Sequence, residues 1–149
     1  MSPNNFKELK CWQLADSLRS EVAAICIKPP VCRDFDFCDS FRDAVGSICR
    51  NISEGFVRFT SPEIAKFFGY ALASLAEVQD HLIECQTKKI ITDSDFQRLW
   101  DLSEHVKATS LNFSKSHRER TERNKKRGKR RRPRTSHVAR RTSHVARRT

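Results

Sequence analysis

The sequence predicts an all-α protein, an antiparallel four-helix bundle with a disordered or partly helical basic C-terminal tail. Glycine and proline number only 4 and 5 among 149 residues, which is too few for the turns of a loop-rich or many-stranded β protein. Apolar residues recur every three or four positions in four segments, the spacing of an amphipathic helix that buries one face. Because the connections between these segments are short, consecutive helices are expected to lie antiparallel in a bundle.

The charge separates the chain into two parts. The whole sequence has a net charge of +11, but residues 1–114 carry 13 basic and 16 acidic side chains, whereas residues 115–149 carry 16 basic and 2 acidic ones. Residues 1–114 are long enough for one hydrophobic core, since single domains span roughly 50–250 residues. We therefore expect a mildly acidic bundle over 1–114 and a basic low-complexity tail over 115–149.

The first helix is predicted to run from about Asn5 to Ile27. Pro29 and Pro30 end it, because proline lacks the backbone donor and disfavours helical geometry in the residue before it. The following segment, residues 33–37, is predicted to be an irregular and unusually aromatic connection. Its phenylalanines are expected to close one end of the core or to cover a neighbouring subunit.

The second helix is predicted from about Asp39 to Glu54. Its inner face is a narrow stripe with spacings of 4, 3 and 4, formed by Phe41, Val45, Ile48 and Ile52. Gly55 follows this helix, at the position where a left-handed backbone is common and where glycine adopts it without a steric penalty. Gly55 is therefore expected to end the helix in the left-handed conformation.

The third and fourth helices are each predicted from a threonine cap followed by an acidic residue. Thr60 with Glu63 marks the start of a third helix over about 62–86, and Thr92 with Asp95 marks the start of the fourth. Residues 116–127 mix arginine, lysine and glutamate and are candidates to extend the fourth helix into solvent. The inner face of the fourth helix is expected to comprise Phe96, Leu99, Ser103, Val106, Ser110 and Phe113.

The six cysteines are interpreted as free thiols. They are Cys11, Cys26, Cys32, Cys38, Cys49 and Cys85. Their even number also suits a disulfide framework, but no secretory signal is visible, so we expect a cytoplasmic protein whose thiols stay reduced. The spacing of Cys26, Cys32 and Cys38 fits no zinc-binding pattern, and His81 with Cys85 supplies only two metal ligands. No metal or other cofactor is therefore expected, and most of the cysteines are expected to be small buried residues.

Neither a membrane-spanning helix nor a catalytic site is indicated. The longest uncharged stretch, residues 67–76, is far shorter than the roughly 20 apolar residues of a spanning helix. The sequence shows no Ser/His/Asp ordering, no phosphate-cradling glycine loop and no paired metal-ligand motif. A membrane partner and an enzymatic activity are therefore not expected.

One stretch at the end of the second predicted helix is distinctive. It reads Phe-Arg-Asp-Ala-Val-Gly-Ser-Ile-Cys-Arg-Asn-Ile-Ser-Glu-Gly over residues 41–55, and it resembles a segment of the four-helix-bundle proteins known as 23S rRNA intervening-sequence proteins. Residues 6–15 and 71–77 agree with the same family, so that the resemblance covers about residues 5–113. The sequence departs from the family pattern at three positions: Cys49 replaces a usual proline, Asp43 stands where a basic residue is common, and Gly46 replaces an alanine-like residue.

The resemblance implies a small homo-oligomer, often a five-membered ring, encoded in bacterial genomes. Nucleic-acid binding is the activity usually suggested for the family. A similar bundle serves as the accessory variability protein of diversity-generating retroelements, which binds nucleic acid and a reverse transcriptase. Within the motif we interpret Asn51, Glu54 and Gly55 as structural, and the loss of a basic residue at Asp43 weakens any phosphate contact by the bundle itself.

The basic tail is the candidate nucleic-acid interface. Residues 125–134 are a dense cationic block that is expected to form a disordered interaction arm, and the seven residues 135–141 are repeated without change as 142–148. Lysine and arginine on phosphates release condensed counterions, and arginine also stacks on unpaired bases, which matters because the tail contains no aromatic residue. The candidate nucleic-acid-binding residues are Arg118, Arg120, Arg123, Lys125, Lys126, Arg127, Lys129, Arg130, Arg131, Arg132, Arg134, Arg140, Arg141, Arg147 and Arg148.

These observations favour a non-catalytic, oligomeric nucleic-acid-binding protein, with RNA as the favoured ligand. The tail would supply affinity for the phosphate backbone and the bundle would supply assembly. An assembly scaffold that recruits a protein partner, such as a reverse transcriptase, is the alternative. The tail taken alone suits RNA and DNA equally.

Overall fold

The structure is a computed structural model and describes residues 2–131. Within this part of the chain it contains four α-helices: α1, Lys10–Cys26; α2, Phe35–Phe56; α3, Ser61–Thr87; and α4, Asp93–Arg131. Helix α1 packs against α2 and α4, and α3 packs against the other sides of α2 and α4. Each helix therefore has two neighbours around a shared core, which confirms the predicted four-helix bundle.

The core is formed by the apolar stripes that the sequence pattern indicates. Leu99, Ser103, Val106 and Ser110 of α4 are buried, and Phe96 and Phe113 pack against the core at its edges. The predicted inner face of the fourth helix is thus confirmed. The largest fully buried side chains are Phe41, Phe68, Leu18, Ile48, Ile52, Ile64, Leu75, Leu82, Leu99, Val22, Val45 and Val78.

The first helix begins later than predicted. Asn5 caps a short 3-10 turn, Phe6–Glu8, by accepting a hydrogen bond from the Lys7 backbone N–H (2.9 Å). Leu9 then has extended backbone angles, so the α-helix starts only at Lys10. The end of α1 at Cys26, shortly before the two prolines, is as predicted.

The prediction that residues 33–37 form an irregular connection is wrong for Phe35 and Phe37, which lie in α2. Asp34 accepts a hydrogen bond from the Phe37 backbone N–H (3.1 Å) and so caps α2, which begins at Phe35. The ring of Phe37 is buried at this end of the core, with its centroid 5.7 Å from that of Phe41 and 5.3 Å from that of His81. Phe35 instead leaves 73% of its surface exposed.

Gly55 does not adopt the predicted left-handed conformation. It lies inside α2, and no glycine among residues 2–131 has a positive φ. A Cβ atom at Gly55 would lie 2.9 Å from two ring carbons of Phe68 and 3.2 Å from Cβ of Phe67. The glycine is therefore required by the close approach of α2 and α3 rather than by a turn.

The predicted caps of α3 and α4 are confirmed. The Thr60 hydroxyl accepts from the Glu63 backbone N–H (3.4 Å) and donates to the Glu63 carboxylate (2.5 Å). Thr92 accepts from the Asp95 backbone N–H (3.0 Å). Helix α4 then continues to Arg131, which confirms a partly helical tail and corrects the expectation of a disordered arm for residues 125–131. Residues 132–149, with the two seven-residue repeats, lie outside the described residues.

All six cysteines are free, and all except Cys32 are buried. Burial raises the pKa of Cys11 and of Cys85 to about 11, and that of Cys26 to about 12. Burial also raises the pKa of Cys49. Because the thiolate is the reactive form, these buried thiols are expected to be unreactive at neutral pH.

A thiol-specific reagent is therefore expected to modify only Cys32 rapidly in the native protein at pH 8. The other five thiols are buried, and burial raises the pKa of four of them, Cys11, Cys26, Cys49 and Cys85, so all five should react only when the bundle opens. Counting released chromophore before and after addition of guanidinium chloride measures both classes. Fast reaction of any thiol in the Cys32→Ser variant without denaturant would contradict the burial of the other five.

Candidate nucleic-acid interface

The inner face of α4 changes from apolar to polar along the helix. Near its middle, Val106 is buried, and the ring of Phe113 stacks on Phe68 with centroids 5.0 Å apart. The residues that continue this face, at spacings of 4, 3 and 4, are His117, Thr121, Asn124 and Gly128. None of them has a large apolar side chain. Packing the end of α4 against the bundle would therefore bury little apolar surface.

The end of α4 accordingly extends past the neighbouring helix. Ser61, the first residue of α3, donates a hydrogen bond to Thr121 (2.9 Å between the hydroxyl oxygens), and Arg120 donates to Ser2 (3.1 Å). Beyond Thr121, the described residues of α4 make no side-chain hydrogen bond to another helix. The ten residues from 122 to 131 span about 15 Å at 1.5 Å per residue. We refer to residues 115–131 of α4 as the basic arm.

The basic arm presents its cations in two stripes. Nine of the predicted nucleic-acid-binding residues lie on it, and the structure adds Lys115, which the sequence reasoning did not include. One stripe contains Lys115, Arg118, Lys125 and Lys129, and the second contains Arg120, Arg123, Arg127 and Arg130. Lys126 lies between the stripes and Arg131 is the last helical residue. The described side chains of both stripes are exposed. The predicted residues Arg132, Arg134, Arg140, Arg141, Arg147 and Arg148 lie outside the described residues.

A groove runs between the base of the basic arm and the first turns of α3. Its α3 wall is uncharged, with Ser61, Pro62 and Ala65. Its α4 wall combines the cations Lys115, Arg118 and Lys125 with one acidic residue, Glu122. The remaining lining residues are Leu111, Ser114 and Thr121. The excess of cations makes this groove suitable for an anionic chain.

The turn between α2 and α3 and the first turns of α3 carry several aromatic and basic side chains. Phe59 is 96% exposed. The Arg58 guanidinium lies 4.6 Å from the centroid of Phe67 and forms an ion pair with Glu54. Lys66 Nζ lies 5.9 Å from the ring centroids of Phe67 and Tyr70. The sequence pattern assigns stacking to arginine alone, whereas the turn that leads to Ser61, which contacts Thr121 at the base of the arm, carries the exposed ring of Phe59.

The distinctive stretch over residues 41–55 makes its contacts within the bundle. The Asn51 amide donates to the Ser47 carbonyl (2.9 Å) and hydroxyl (3.1 Å), and Ser74 of α3 donates to the same hydroxyl (2.8 Å). This chain of hydrogen bonds joins α2 to α3. Together with the ion pair of Glu54 and the packing of Gly55, it supports the structural interpretation of the motif residues.

Two departures from the family pattern occur together in space. Arg50 pairs with Asp43 (2.9 Å), and its Nη1 lies 3.0 Å from the position that a Cβ atom on Gly46 would occupy. The missing side chain at Gly46 thus leaves room for the Arg50 guanidinium to lie along α2. The charge of Asp43 is therefore balanced by a neighbour on the same helix.

The pair His81 and Cys85 lies at the opposite end of the bundle. His81 Nε2 lies 3.1 Å from the Ser40 hydroxyl, and its ring packs on Phe37 and Phe41. Cys85 is buried. Among residues 2–131, no three or more His, Cys, Asp or Glu side chains are grouped so as to hold a metal ion. No helix in the same part of the chain combines the length and apolar character needed to cross a bilayer.

Comparison with known proteins gives one family. The family model described as 23S rRNA-intervening sequence protein matches residues 7–112, well over half of the chain. No curated protein matches the sequence. The match ends just before Lys115, so the basic arm lies outside the part of the chain that the family model covers.

Proposed function

Because the chain belongs to the 23S rRNA-intervening sequence protein family, we propose that it is a non-catalytic, oligomeric protein that binds nucleic acid, with RNA as its ligand. The observation that supports this function most directly is the basic arm, a helix that extends past its neighbour and is lined by exposed cations. The name of the family links its members to ribosomal RNA, which favours RNA over DNA. The cytoplasm is the matching compartment.

The basic arm binds the phosphate backbone rather than a particular sequence. Each lysine or arginine that contacts a phosphate displaces condensed counterions, and this release supplies affinity without any base readout. Arginine adds paired hydrogen bonds to phosphate oxygens. Since the arm is already helical in the described structure, its cations are ordered before the ligand arrives, which lowers the entropic cost of binding.

Assembly of several copies would bring several arms together. Ile83 of α3 is 45% exposed, and the exposed residues Ala73 and Ala76 lie on the same helix. All three lie further along α3 than the residues that line the groove, Ser61, Pro62 and Ala65. We propose this part of α3 as the contact between copies, in a pentamer, the form that the family resemblance implies. Linked arms would then bind one polyanion with increased avidity.

Salt titration of RNA binding tests the proposed function. With six or more phosphate contacts, the affinity of the full chain for a single-stranded 20-nucleotide RNA is expected to fall about a hundredfold or more between about 50 and 200 mM salt. Fluorescence anisotropy at four or more salt concentrations gives the slope of log Kd against log salt. No binding at the lowest salt concentration, or a slope near zero, would show that the function is wrong.

A scaffold that recruits a protein partner is the second candidate. Ile27 and Phe35 are 71% and 73% exposed at the end of the bundle opposite the basic arm, and exposed apolar groups of this kind favour a protein contact. One experiment distinguishes the two functions. If the cations of the basic arm are replaced by glutamine, this end of the bundle should still capture a purified reverse transcriptase, whereas RNA binding should be lost.

A further inference from the structure

We propose that Phe59 in the α2–α3 turn is a stacking platform for an unpaired base, and that the chain therefore prefers single-stranded RNA to duplex RNA. This inference rests on the proposed function and specifies the class of nucleic acid bound. It also assigns a role to a residue outside the basic arm. Phe59 suits this role because its ring is exposed, because the residues on either side of it are anchored, and because cations lie nearby.

The exposure of Phe59 has no explanation within the fold. Its ring is 96% exposed, the highest exposure among the large hydrophobic side chains of residues 2–131. The turn would form equally well with a polar residue, because its capping contacts come from Thr60 and Glu63. A large apolar ring held in water beside cations is the arrangement that proteins use to stack bases of single strands.

The turn holds this ring away from the bundle. On one side, the Arg58 backbone N–H donates to the Gly55 carbonyl (3.3 Å), and the Arg58 guanidinium is held by Glu54 and the Phe67 ring. On the other side, Thr60 is fixed as the cap of α3. Phe59 therefore lies between two anchored residues, so that little conformational freedom is lost when a base stacks on it.

The cations near Phe59 favour a polyanion as the occupant. Ser61, only two residues further along the chain, contacts Thr121, and Arg118 and Lys125 lie about one helical turn to either side of Thr121. Arg58 and Lys66 add positive charge on the bundle side. A strand whose phosphates lie along the groove would thus carry its bases past Phe59. An uncharged apolar partner, such as a second copy, would have to bury these cations.

The test compares Phe59→Ala with Phe35→Ala in the full chain. Phe35 is a matched control, because it is also a largely exposed phenylalanine next to a helix start, but it lies at the other end of the bundle. The probes are a single-stranded oligo(U) 20-mer and an RNA duplex of equal length. Phe59→Ala is expected to weaken oligo(U) binding about tenfold and duplex binding less than about twofold, since stacking requires an unpaired base. Phe59→Trp should restore the affinity for oligo(U), and Phe35→Ala should change neither probe.

A second readout does not depend on affinity. Irradiation of the complex with oligo(U) that contains 5-iodouridine is expected to attach the RNA to the peptide that carries Phe59. Sedimentation of each variant shows whether the number of copies has changed. A change of oligomeric state in Phe59→Ala alone would assign the ring to a contact between copies and overturn the inference.

The outcomes distinguish this inference from the function on which it rests. If the wild-type chain binds both probes with a steep salt dependence and Phe59→Ala is unchanged, the stacking platform is wrong and the proposed function stands. Equal losses for Phe59→Ala on both probes would also overturn the platform. If the wild-type chain binds neither probe at low salt, the proposed function itself fails.

Discussion

Replacement of Arg123, Arg127 and Arg130 by glutamine is expected to weaken the binding of single-stranded RNA about a hundredfold at about 0.1 M salt. These three residues form most of one stripe of the basic arm and are exposed. Each phosphate contact contributes about 0.7 to the slope of log affinity against log salt for a single strand, so the slope should become shallower by about 2. Anisotropy titrations over a range of salt concentrations measure both quantities.

The control for this variant keeps the change in net charge but moves it away from the basic arm. Lys28, Arg33 and Arg42 are exposed cations near the opposite end of the bundle, and their replacement by glutamine also removes three charges. Glutamine has a helix propensity close to that of arginine, so the helical signal in circular dichroism should be unchanged. Equal effects of the two triple variants would mean that net charge alone, and not the basic arm, determines binding.

Replacement of Gly55 by alanine is expected to lower the free energy of unfolding by up to about 2 kcal/mol. Helix propensity alone predicts the opposite, because alanine stabilises a helix interior by about 1 kcal/mol relative to glycine. The new methyl group, however, would lie 2.9 Å from two carbons of the Phe68 ring. That ring is buried and stacked on Phe113, so it has little room to move, and overpacking of this kind costs about 1–3 kcal/mol. Urea denaturation followed by circular dichroism measures the difference.

Gly69→Ala is the matched control for this prediction. Gly69 lies within α3, and apart from its chain neighbours and the backbone of its own helix, no atom lies within 4 Å of the position that its Cβ would occupy. Without a steric penalty, only the gain in helix propensity remains, and the free energy of unfolding should rise by up to about 1 kcal/mol. If both variants are stabilised, then α2 and α3 do not approach each other at Gly55 as closely as described.

The starts of α3 and α4 could be predicted from the sequence because each has a capping residue followed by an acidic residue. Thr60 and Thr92 each have an acidic residue three positions later, and both begin helices as predicted. The start of α2 lies earlier than predicted because Asp34 caps the helix, although the closely spaced aromatic residues after it resemble an irregular segment. Gly55 is predicted to follow α2 but lies inside it, and the need for a glycine there comes from Phe68 of α3, a contact that the local sequence around Gly55 does not indicate.

The sequence predicts the cations of the candidate site but not Phe59, because Phe59 is far from those cations along the chain. The cations of the basic arm are adjacent in sequence, so their charge density was evident without a structure. Phe59 is 56 positions before Lys115, and only the contact of Ser61 with Thr121 brings the α2–α3 turn to the base of the arm. The one available signal was an aromatic residue in a short polar turn, where no apolar stripe requires it.

The continuity of α4 from the core into the basic arm couples the direction of the arm to the number of residues in the helix. Because the helix makes one turn every 3.6 residues, insertion of a single residue between the buried face and the arm would rotate both stripes by about 100° and advance them by about 1.5 Å. Seven inserted residues make almost two full turns and would restore the original orientation about 10 Å further out. The number of residues in α4 therefore sets both the distance of these charges from the core and the direction in which they point.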